Sequence, residues 1–387
     1  MPGYELIDSE EENQISKVFK EGNGVLFRHG FENIRNNSFK VAEFEKKFAT
    51  YFKTNYSLAV SSGTAALRVA LAALNIGRGD EVITQSFTFV ATVESIIESG
   101  ATPICTEIDD TLNMDPSDLE NKITKNTKAV IVVHMLGNPA RISKIKDICK
   151  KNNIYLIEDT AWGCGGKLKD TFLGTWGDIG TFSFDFAKTI TTGEGGMLVF
   201  KSQSIYEKAA AWHDHGHENN PKVPRWEDTR SSSGFNYRMS ELQGAVGLAQ
   251  LSKLDYIIKK HRENKKKIWD QIKDINSIKI RVSPEFSFET AESLIFNVEN
   301  KKIASRCRIE LLKNGLGTKI LPEALTWHFA ATWDHMKSLS NAHQNKLKDD
   351  FPVSTELLRR SVSIPINIFM SEDIPIKIKK SILKAIS

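Results

Sequence analysis

The sequence predicts an α/β fold with one large, mostly parallel sheet and a smaller α+β region near the C-terminal end. Short apolar segments alternate with helical segments between residues 57 and 200, which is typical of parallel strands joined by helices. Hydroxyl, carboxylate and amine side chains follow three of these strands. The alternation stops near residue 205. We therefore divide the chain into residues 1–250, an N-terminal segment with the large domain, and residues 251–387, a small C-terminal domain.

The individual elements follow from the spacing of apolar residues. Helical periodicity places two helices before the first strand, at 10–20 and 41–52. The alternating region then predicts strands at 57–60, 81–84, 102–107, 129–133, 154–157 and 197–200, and helices at 64–74, 89–99, 116–123 and 142–152. A further strand begins at 181 and ends in the loop that carries Lys188. The C-terminal part is expected to contain a long helix at 240–272 and apolar segments at 278–282, 292–298 and 362–364.

Composition and charge argue against two classes of protein. The 52 basic and 48 acidic residues leave a net charge of only +4, far from the basic balance of nucleic-acid-binding proteins. No apolar run reaches the roughly 18 residues of a membrane span, and the acidic opening has no apolar signal core, so we expect a cytoplasmic protein without nucleic acid or membrane partners. The four cysteines are widely spaced and are expected to be reduced thiols: Cys105, Cys149, Cys164 and Cys307.

Three groups of polar residues stand where predicted strands end. Ser61–Thr64 opens a helix, so its N–H groups and hydroxyls suit an anion, although an ordinary helix cap has the same composition. The carboxylates of Glu158 and Asp159 either cap a helix or pair with a buried cation. Lys188 precedes a glycine-rich turn, which suits a covalently held phosphate cofactor or a plain surface lysine. Ligand sites of open α/β sheets lie at the carboxyl ends of strands, which favours the functional interpretation of all three groups.

Two other motifs suggest different ligands but lack the required spacing. The segment His213–His217 contains three histidines, but no cysteine or further carboxylate stands at a ligand-like distance along the chain, so no metal site is predicted. The glycines of 163–166 lack the G-x-G-x-x-G spacing of a dinucleotide site and precede no clear helix.

A set of motifs along most of the chain resembles the DegT/DnrJ/EryC1 sugar aminotransferases. The motifs are Ser61-Ser-Gly-Thr-Ala-Ala66, Phe87-Thr-Phe-Val-Ala-Thr92, Glu158-Asp159, Ser183-Phe-x-x-x-Lys188 with Thr192-Gly-Glu-Gly-Gly196, and Gly234-Phe-Asn-Tyr-Arg-Met239. The resemblance implies the aspartate aminotransferase fold (fold type I), pyridoxal 5'-phosphate as cofactor, and transfer of an amino group to a sugar. Some relatives replace the lysine with histidine and act as dehydratases, so Lys188 favours transamination.

The resemblance also implies roles for the catalytic pair. Lys188 should hold pyridoxal phosphate covalently through its amine and later move the proton between the substrate carbon and the cofactor. Asp159 should pair with the pyridine nitrogen and keep it protonated, so that the ring can withdraw electrons from the substrate.

The remaining cofactor contacts are carried over in the same way. Gly63, Thr64 and Ser183 should bind the cofactor phosphate. Phe89 should stack on the pyridine face, although simple core packing is the alternative for an aromatic side chain. Asn236 should reach the phosphate of the neighbouring subunit's cofactor, which implies a homodimer with shared active sites.

One position departs from the family pattern. Trp162 stands where the family usually has a glutamine or histidine that contacts the phenolic oxygen of the cofactor. Its indole N–H can still donate a hydrogen bond, but its bulk is expected to change access to the ring. Candidates for the substrate pocket are Arg28, His215, Arg238, Trp327 and His328. For Arg28, the alternative is an arginine that braces the dimer interface.

Further details are similar to the branch of the family that aminates 8-oxo-3-deoxy-D-manno-octulosonate for lipopolysaccharide. They are Met1-Pro-Gly-Tyr-Glu, Phe27-Arg28, Asn33-Ile-Arg-Asn36, Val133-His-Met-x-Gly137, Asp214-His-Gly-His217 and Trp327-His328. This resemblance implies L-glutamate as donor and an upstream dehydrogenase that oxidises the sugar. Two alternatives stay open: a nucleotide-linked 3- or 4-keto sugar as acceptor, and a dehydratase or a regulator that only binds the cofactor.

Overall fold

The computed structural model describes residues 3–220, 222–230 and 232–387, and Met1 and Pro2 of the octulosonate motif lie outside them. Its strands are β1 (Tyr56–Val60), β2 (Glu81–Gln85), β3 (Thr102–Thr106), β4 (Thr127–Val133), β5 (Tyr155–Asp159), β6 (Lys167–Leu168), β7 (Thr171–Phe172), β8 (Ile179–Ser183), β9 (Gly196–Phe200), β10 (Lys279–Ile280), β11 (Ser287–Phe288), β12 (Ser293–Asn297) and β13 (Ser361–Pro365). Its helices are α1 (Ser9–Lys20), α2 (Lys40–Phe52), α3 (Gly63–Ala73), α4 (Val90–Glu98), α5 (Pro116–Lys122), α6 (Ile142–Lys151), α7 (Gln203–Trp212), α8 (Glu241–Ile272), α9 (Lys301–Lys313), α10 (Lys337–Ala342), α11 (Pro352–Arg359) and α12 (Ile374–Ile386).

The large sheet has seven strands in the order β1-β9-β8-β5-β4-β2-β3. Neighbouring strands from β8 to β3 are parallel, whereas β9 runs antiparallel to both β8 and β1. Six strands therefore share one direction, and only β9 opposes them. As a result, the carboxyl ends of β1, β5 and β8 lie at the same edge of the sheet. The predicted α/β fold with a mostly parallel sheet is confirmed.

The long helix α8 packs closely against α2. It begins with a capping box formed by Ser240 and Gln243, which satisfies otherwise free N–H groups. It crosses α2 at close range: a Cβ at Gly244 would lie 2.7 Å from the backbone nitrogen of Val41, and one at Gly247 would lie 2.5 Å from the ring of Phe44. Glycine is therefore required at both positions for the two helices to pack.

A second, three-stranded sheet follows in the C-terminal part, in the order β10-β12-β13. Apolar side chains of this sheet pack with α9, α12 and the end of α8 in one core cluster. The division of the chain at residue 250 stays a prediction, and α8 runs through that position.

The structure also contains elements that periodicity does not predict. Helices α7, α9, α10, α11 and α12 lie beyond the regular alternation. The sheet β11-β6-β7 is not predicted either, and it joins two short strands from within the alternating region to one from the C-terminal part. Lys188 lies in the loop between β8 and β9. All four cysteines are buried and free. In the described part of the chain, no helix is long and apolar enough to cross a membrane.

Candidate active site

A cavity of about 350 Å³ lies at the edge of the large sheet where β1, β5 and β8 end. Such a volume suits a small-molecule cofactor or ligand. Eight of the residues predicted to bind or act on ligands line it: Gly63, Thr64, Phe89, Asp159, Trp162, Ser183, Lys188 and His328. The strand directions explain this convergence, because parallel strands present their carboxyl ends, and the loops that follow them, together.

The N-terminus of α3 forms one wall of the cavity. Ser62 caps this helix by accepting a hydrogen bond from the backbone N–H of Ala65 at 3.0 Å. Gly63 and Thr64 follow and line the cavity, and the first N–H groups of a helix have no partner within the helix. A Cβ at Gly63 would lie 2.6 Å from the Cβ of Ser183, so only glycine allows the helix to approach that hydroxyl side chain. Together these groups form a cradle for an anion.

Asp159 is buried at the end of β5. Its carboxylate accepts hydrogen bonds from the Thr92 hydroxyl at 2.9 Å and from the Ala161 backbone N–H at 3.2 Å. Burial raises the pKa of this carboxyl, and the two hydrogen bonds oppose that shift. A cationic group bound against Asp159 would offset the cost of burying its charge.

Lys188 is 92% buried, with an exposed fraction of 8%. Its Nζ lies 3.4 Å from the centre of the Trp162 ring, a cation–π distance. Burial lowers the pKa of Lys188 to about 8, although the charges of Glu292 and Asp159 oppose the shift. A larger share of this amine is therefore neutral and nucleophilic near neutral pH than for an exposed lysine.

Aromatic side chains form another part of the cavity wall. Phe89 precedes α4 and is 39% exposed, and its ring lies 5.5 Å from that of His328. Burial lowers the pKa of His328 to about 4, so this imidazole is neutral at physiological pH. Trp327 stacks on Phe89 with ring centres 6.3 Å apart, but it is 60% exposed and does not line the cavity.

Four other predicted residues do not line the cavity of their own chain. Arg28 donates to both carboxylate oxygens of Glu45, at 2.7 and 2.9 Å, and to the Ala59 carbonyl at 2.9 Å. Arg238 forms an ion pair with the buried Asp214. His215 and Asn236 are exposed. The assigned substrate and cofactor roles of these residues stay predictions.

Three further residues, two threonines and Glu158, are not among the predicted ligand-binding residues. Thr92 binds Asp159, and the Thr88 hydroxyl lies 2.8 Å from that of Thr92, so both threonines of the Phe87–Thr92 motif support the carboxylate. Glu158 is fully buried and accepts hydrogen bonds from the backbone N–H groups of Gly174, Trp176 and Gly177. The alternation of side chains along β5 is the signal that separates the two acids, because neighbouring residues of a strand point to opposite faces.

The residues of this cavity match the chemical groups of pyridoxal phosphate. The anion cradle of α3 and Ser183 suits the phosphate, the buried carboxylate of Asp159 suits the ring nitrogen, and the amine of Lys188 suits the aldehyde. In the described residues, no cluster of three or more histidine, cysteine, aspartate or glutamate side chains is arranged to hold a metal ion.

The fold and this set of side chains are similar to those of the fold type I aminotransferases. The model of the DegT/DnrJ/EryC1/StrS aminotransferase family matches residues 31–382, so the chain belongs to this family. The solved aminotransferase from Psychrobacter cryohalolentis superposes with a TM-score of 0.86 at 26% identity, over 98% of this chain and 97% of that one.

The names of two curated relatives refer to perosamine and to polysaccharide biosynthesis. GDP-perosamine synthase of Escherichia coli O157:H7 is 43% identical over 224 residues, which cover 58% of this chain and 60% of the relative. The chain thus matches less than two thirds of the length of that relative. The spore coat polysaccharide biosynthesis protein SpsC of Bacillus subtilis is 31% identical over 350 residues, 86% of each chain. The octulosonate branch stays a prediction.

Proposed function

We propose that this protein is a pyridoxal-phosphate-dependent aminotransferase that moves an amino group from L-glutamate to an oxidised sugar. The observation that carries the proposal is the convergence of Lys188, Asp159 and the α3 anion cradle on one cavity. Each group is suited to a different part of the same cofactor, and no one of them alone would point to it. Family membership supports the same activity.

Bound pyridoxal phosphate supplies an electron sink that stabilises negative charge on the substrate carbon. Side chains of this protein bind and orient the cofactor and move the proton. Asp159 would accept a hydrogen bond from the protonated ring nitrogen, and the Thr92 hydroxyl holds that carboxylate in place. The Lys188 amine, once free, would take a proton from the substrate carbon and deliver it to the cofactor. Trp162 and Phe89 line the cavity with apolar surface, which limits the entry of water and strengthens these charge interactions.

For the acceptor, we propose 8-oxo-3-deoxy-D-manno-octulosonate, which yields 8-amino-3,8-dideoxy-D-manno-octulosonate. The support is the sequence resemblance at Phe27-Arg28, Asn33–Asn36 and Asp214–His217. The oxidised sugar requires an upstream dehydrogenase. A nucleotide-linked keto sugar is the second candidate, because the similarity to GDP-perosamine synthase favours an acceptor that carries a nucleotide.

We also propose a homodimer with shared active sites. Asn236 and His215 are exposed and do not line their own cavity, which suits residues that act in a neighbouring subunit. Exposed apolar side chains accompany them in the same N-terminal and 213–238 segments: Leu26, Phe31, Ile34, Trp226 and Phe235. Apolar patches of this kind favour an interface.

The test of the proposed function is a pair of half-reactions followed by absorbance. L-Glutamate should remove the absorbance band of lysine-linked cofactor, and the correct sugar should restore it. Restoration by 8-oxo-3-deoxy-D-manno-octulosonate supports the first acceptor, and restoration only by a nucleotide-linked keto sugar supports the second. A band that glutamate leaves unchanged, with other amino acids equally inert, would contradict transamination. The unoxidised sugar, 3-deoxy-D-manno-octulosonate, is the matched control, because it lacks the C8 carbonyl that accepts the amine.

A further inference from the structure

A buried ion pair lies next to Trp162, outside the cavity lining. Lys319 Nζ is 3.3 Å from the carboxylate of Glu292, and the side chains are 8% and 0% exposed. The same Nζ lies 4.7 Å from the centre of the Trp162 ring. Because Lys188 contacts this ring at 3.4 Å, one indole touches two lysines.

The backbone fixes this arrangement across the two parts of the chain. Thr290, close to Glu292, donates its hydroxyl to the Trp162 carbonyl at 3.2 Å and its N–H to the Gly137 carbonyl at 3.2 Å. The N–H of Lys319 bonds the Ser363 carbonyl of β13 at 2.8 Å. Thus the segments that carry the ion pair are anchored both to the sheet β10-β12-β13 and to the loop that carries Trp162.

This ion pair is poorly suited to a purely structural role. Apart from their 3.3 Å contact with each other, within the described part of the chain neither carboxylate oxygen of Glu292 accepts a hydrogen bond and Lys319 Nζ donates none. A buried pair without supporting hydrogen bonds repays little of the cost of removing its charges from water, and replacing both members by apolar groups is often neutral or stabilising. Such a pair is a candidate for a functional role.

We propose that Glu292 and Lys319, which lie beside Trp162, set the electrostatic environment of the Lys188 amine. This inference rests on the proposed function, in which Lys188 carries the cofactor. The two residues act through their charges, and neither is assigned a contact with substrate.

Other charged and titratable groups face Lys188 from the surrounding elements. Asp159 comes from β5, Asp185 from the loop after β8, and the neutral His328 from the loop after α9. Among the opposing charges, Glu292 has the largest effect on the pKa of Lys188, and Lys319 acts in the opposite direction. The effect of the pair on the pKa of Lys188 therefore depends on whether the two charges cancel.

The test is a pH titration of the lysine-linked cofactor band, which is read without turnover. Glu292→Gln should lower the pKa of this linkage and Lys319→Met should raise it, each by about one unit, as expected for the loss of one nearby buried charge. The double variant Glu292→Gln/Lys319→Met should titrate close to wild type, and it retains no unpaired buried charge that would impair folding. Lys319→Arg keeps the positive charge and should also titrate close to wild type.

Lys265→Met is the matched control. Lys265 also belongs to a largely buried ion pair, with Glu289 at 2.6 Å, but it does not contact Trp162, so its loss should leave the titration unchanged. Equal titrations for wild type, both single variants and the double variant would overturn this inference and leave the proposed function intact. Absence of the band from the wild-type protein supplied with cofactor would overturn the proposed function, and this inference with it.

Discussion

At the scale of single residues, burial gives the cavity its chemistry. The same loss of water contact lowers the pKa of Lys188, raises that of Asp159 and keeps His328 neutral. An exposed lysine and aspartate with the same spacing would both be fully charged at neutral pH. The sequence motifs identify these residues, but their shifted pKa values depend on packing that only the folded chain provides.

The first prediction concerns the pH dependence of cofactor capture. Only the neutral amine of Lys188 attacks the aldehyde, and its pKa is about 8. The neutral fraction therefore increases as the pH rises through 8, and capture should accelerate from pH 6.5 to 8 and level off above about pH 9. Stopped-flow absorbance of cofactor-free protein mixed with pyridoxal phosphate measures this rate. A rate that keeps rising tenfold per pH unit beyond pH 9.5 would show that the amine has an ordinary lysine pKa.

The second prediction concerns Asp159→Asn. The amide cannot pair as an anion with a protonated ring nitrogen, so cofactor affinity should fall at least about tenfold, since a hydrogen bond to a charged group contributes about 1.5–3 kcal/mol. Turnover should also slow. Equilibrium binding monitored by absorbance measures the first effect. Asp185→Asn is the matched control, because this carboxylate also lines the cavity but caps its own turn by accepting from the Ala187 N–H. Equal effects of the two substitutions would contradict the pairing.

At the scale of elements, three strand ends and one helix N-terminus position the site. Strands β1, β5 and β8 bring residues more than a hundred positions apart to one edge of the sheet. The close approach of α3 to Ser183 depends on Gly63. The anion cradle is thus a property of how a helix and a strand pack, and not of either element alone.

The third prediction is a loss of cofactor affinity in Gly63→Ala. The new Cβ would lie 2.6 Å from the Cβ of Ser183, so α3 must shift, at a cost of about 1–3 kcal/mol in stability. Retention of the cofactor phosphate should weaken, as measured by the release rate during gel filtration, together with the melting temperature. Gly77→Ala is the control, since its Cβ would meet its nearest neighbour only at 3.4 Å. Unchanged release in Gly63→Ala would contradict the cradle.

The sequence predicts the alternating part of the fold well and the C-terminal part poorly. Strands such as β4 and β5 are buried apolar runs between turn residues, and α8 has a clear periodic pattern; such signals are local. Helices α9 and α12 lie outside the region where strands and helices alternate, so that pattern does not predict them. The contact of Trp162 with Lys319 joins positions far apart in the chain. Arg28 and Glu45 are closer in sequence but lie in different elements, so no helix or strand periodicity predicts either contact.

At the scale of the whole molecule, the cavity of one chain has few cations for a carboxylated substrate. Arg28 and Arg238 are each engaged by a carboxylate outside the cavity lining. This arrangement agrees with the proposal that a second subunit completes the site.

The fourth prediction is complementation between two inactive variants. Lys188→Ala lacks the amine, and Asn236→Ala lacks the residue proposed to reach the other subunit's cofactor. In a mixed dimer, the site that keeps Lys188 receives Asn236 from the other chain, so mixing and re-association should restore about a quarter of wild-type activity for random pairing in a two-fold dimer. Activity that stays at the sum of the separate variants would contradict shared sites.

The most direct test of the central claim is to locate the cofactor on the chain. The protein is loaded with pyridoxal phosphate, reduced with borohydride, digested, and analysed by mass spectrometry. We predict that the cofactor is attached to the peptide that contains Lys188 and is absent from Lys188→Ala. Attachment to another lysine, such as Lys319, or equal labelling of the Lys188→Ala protein, would contradict the account.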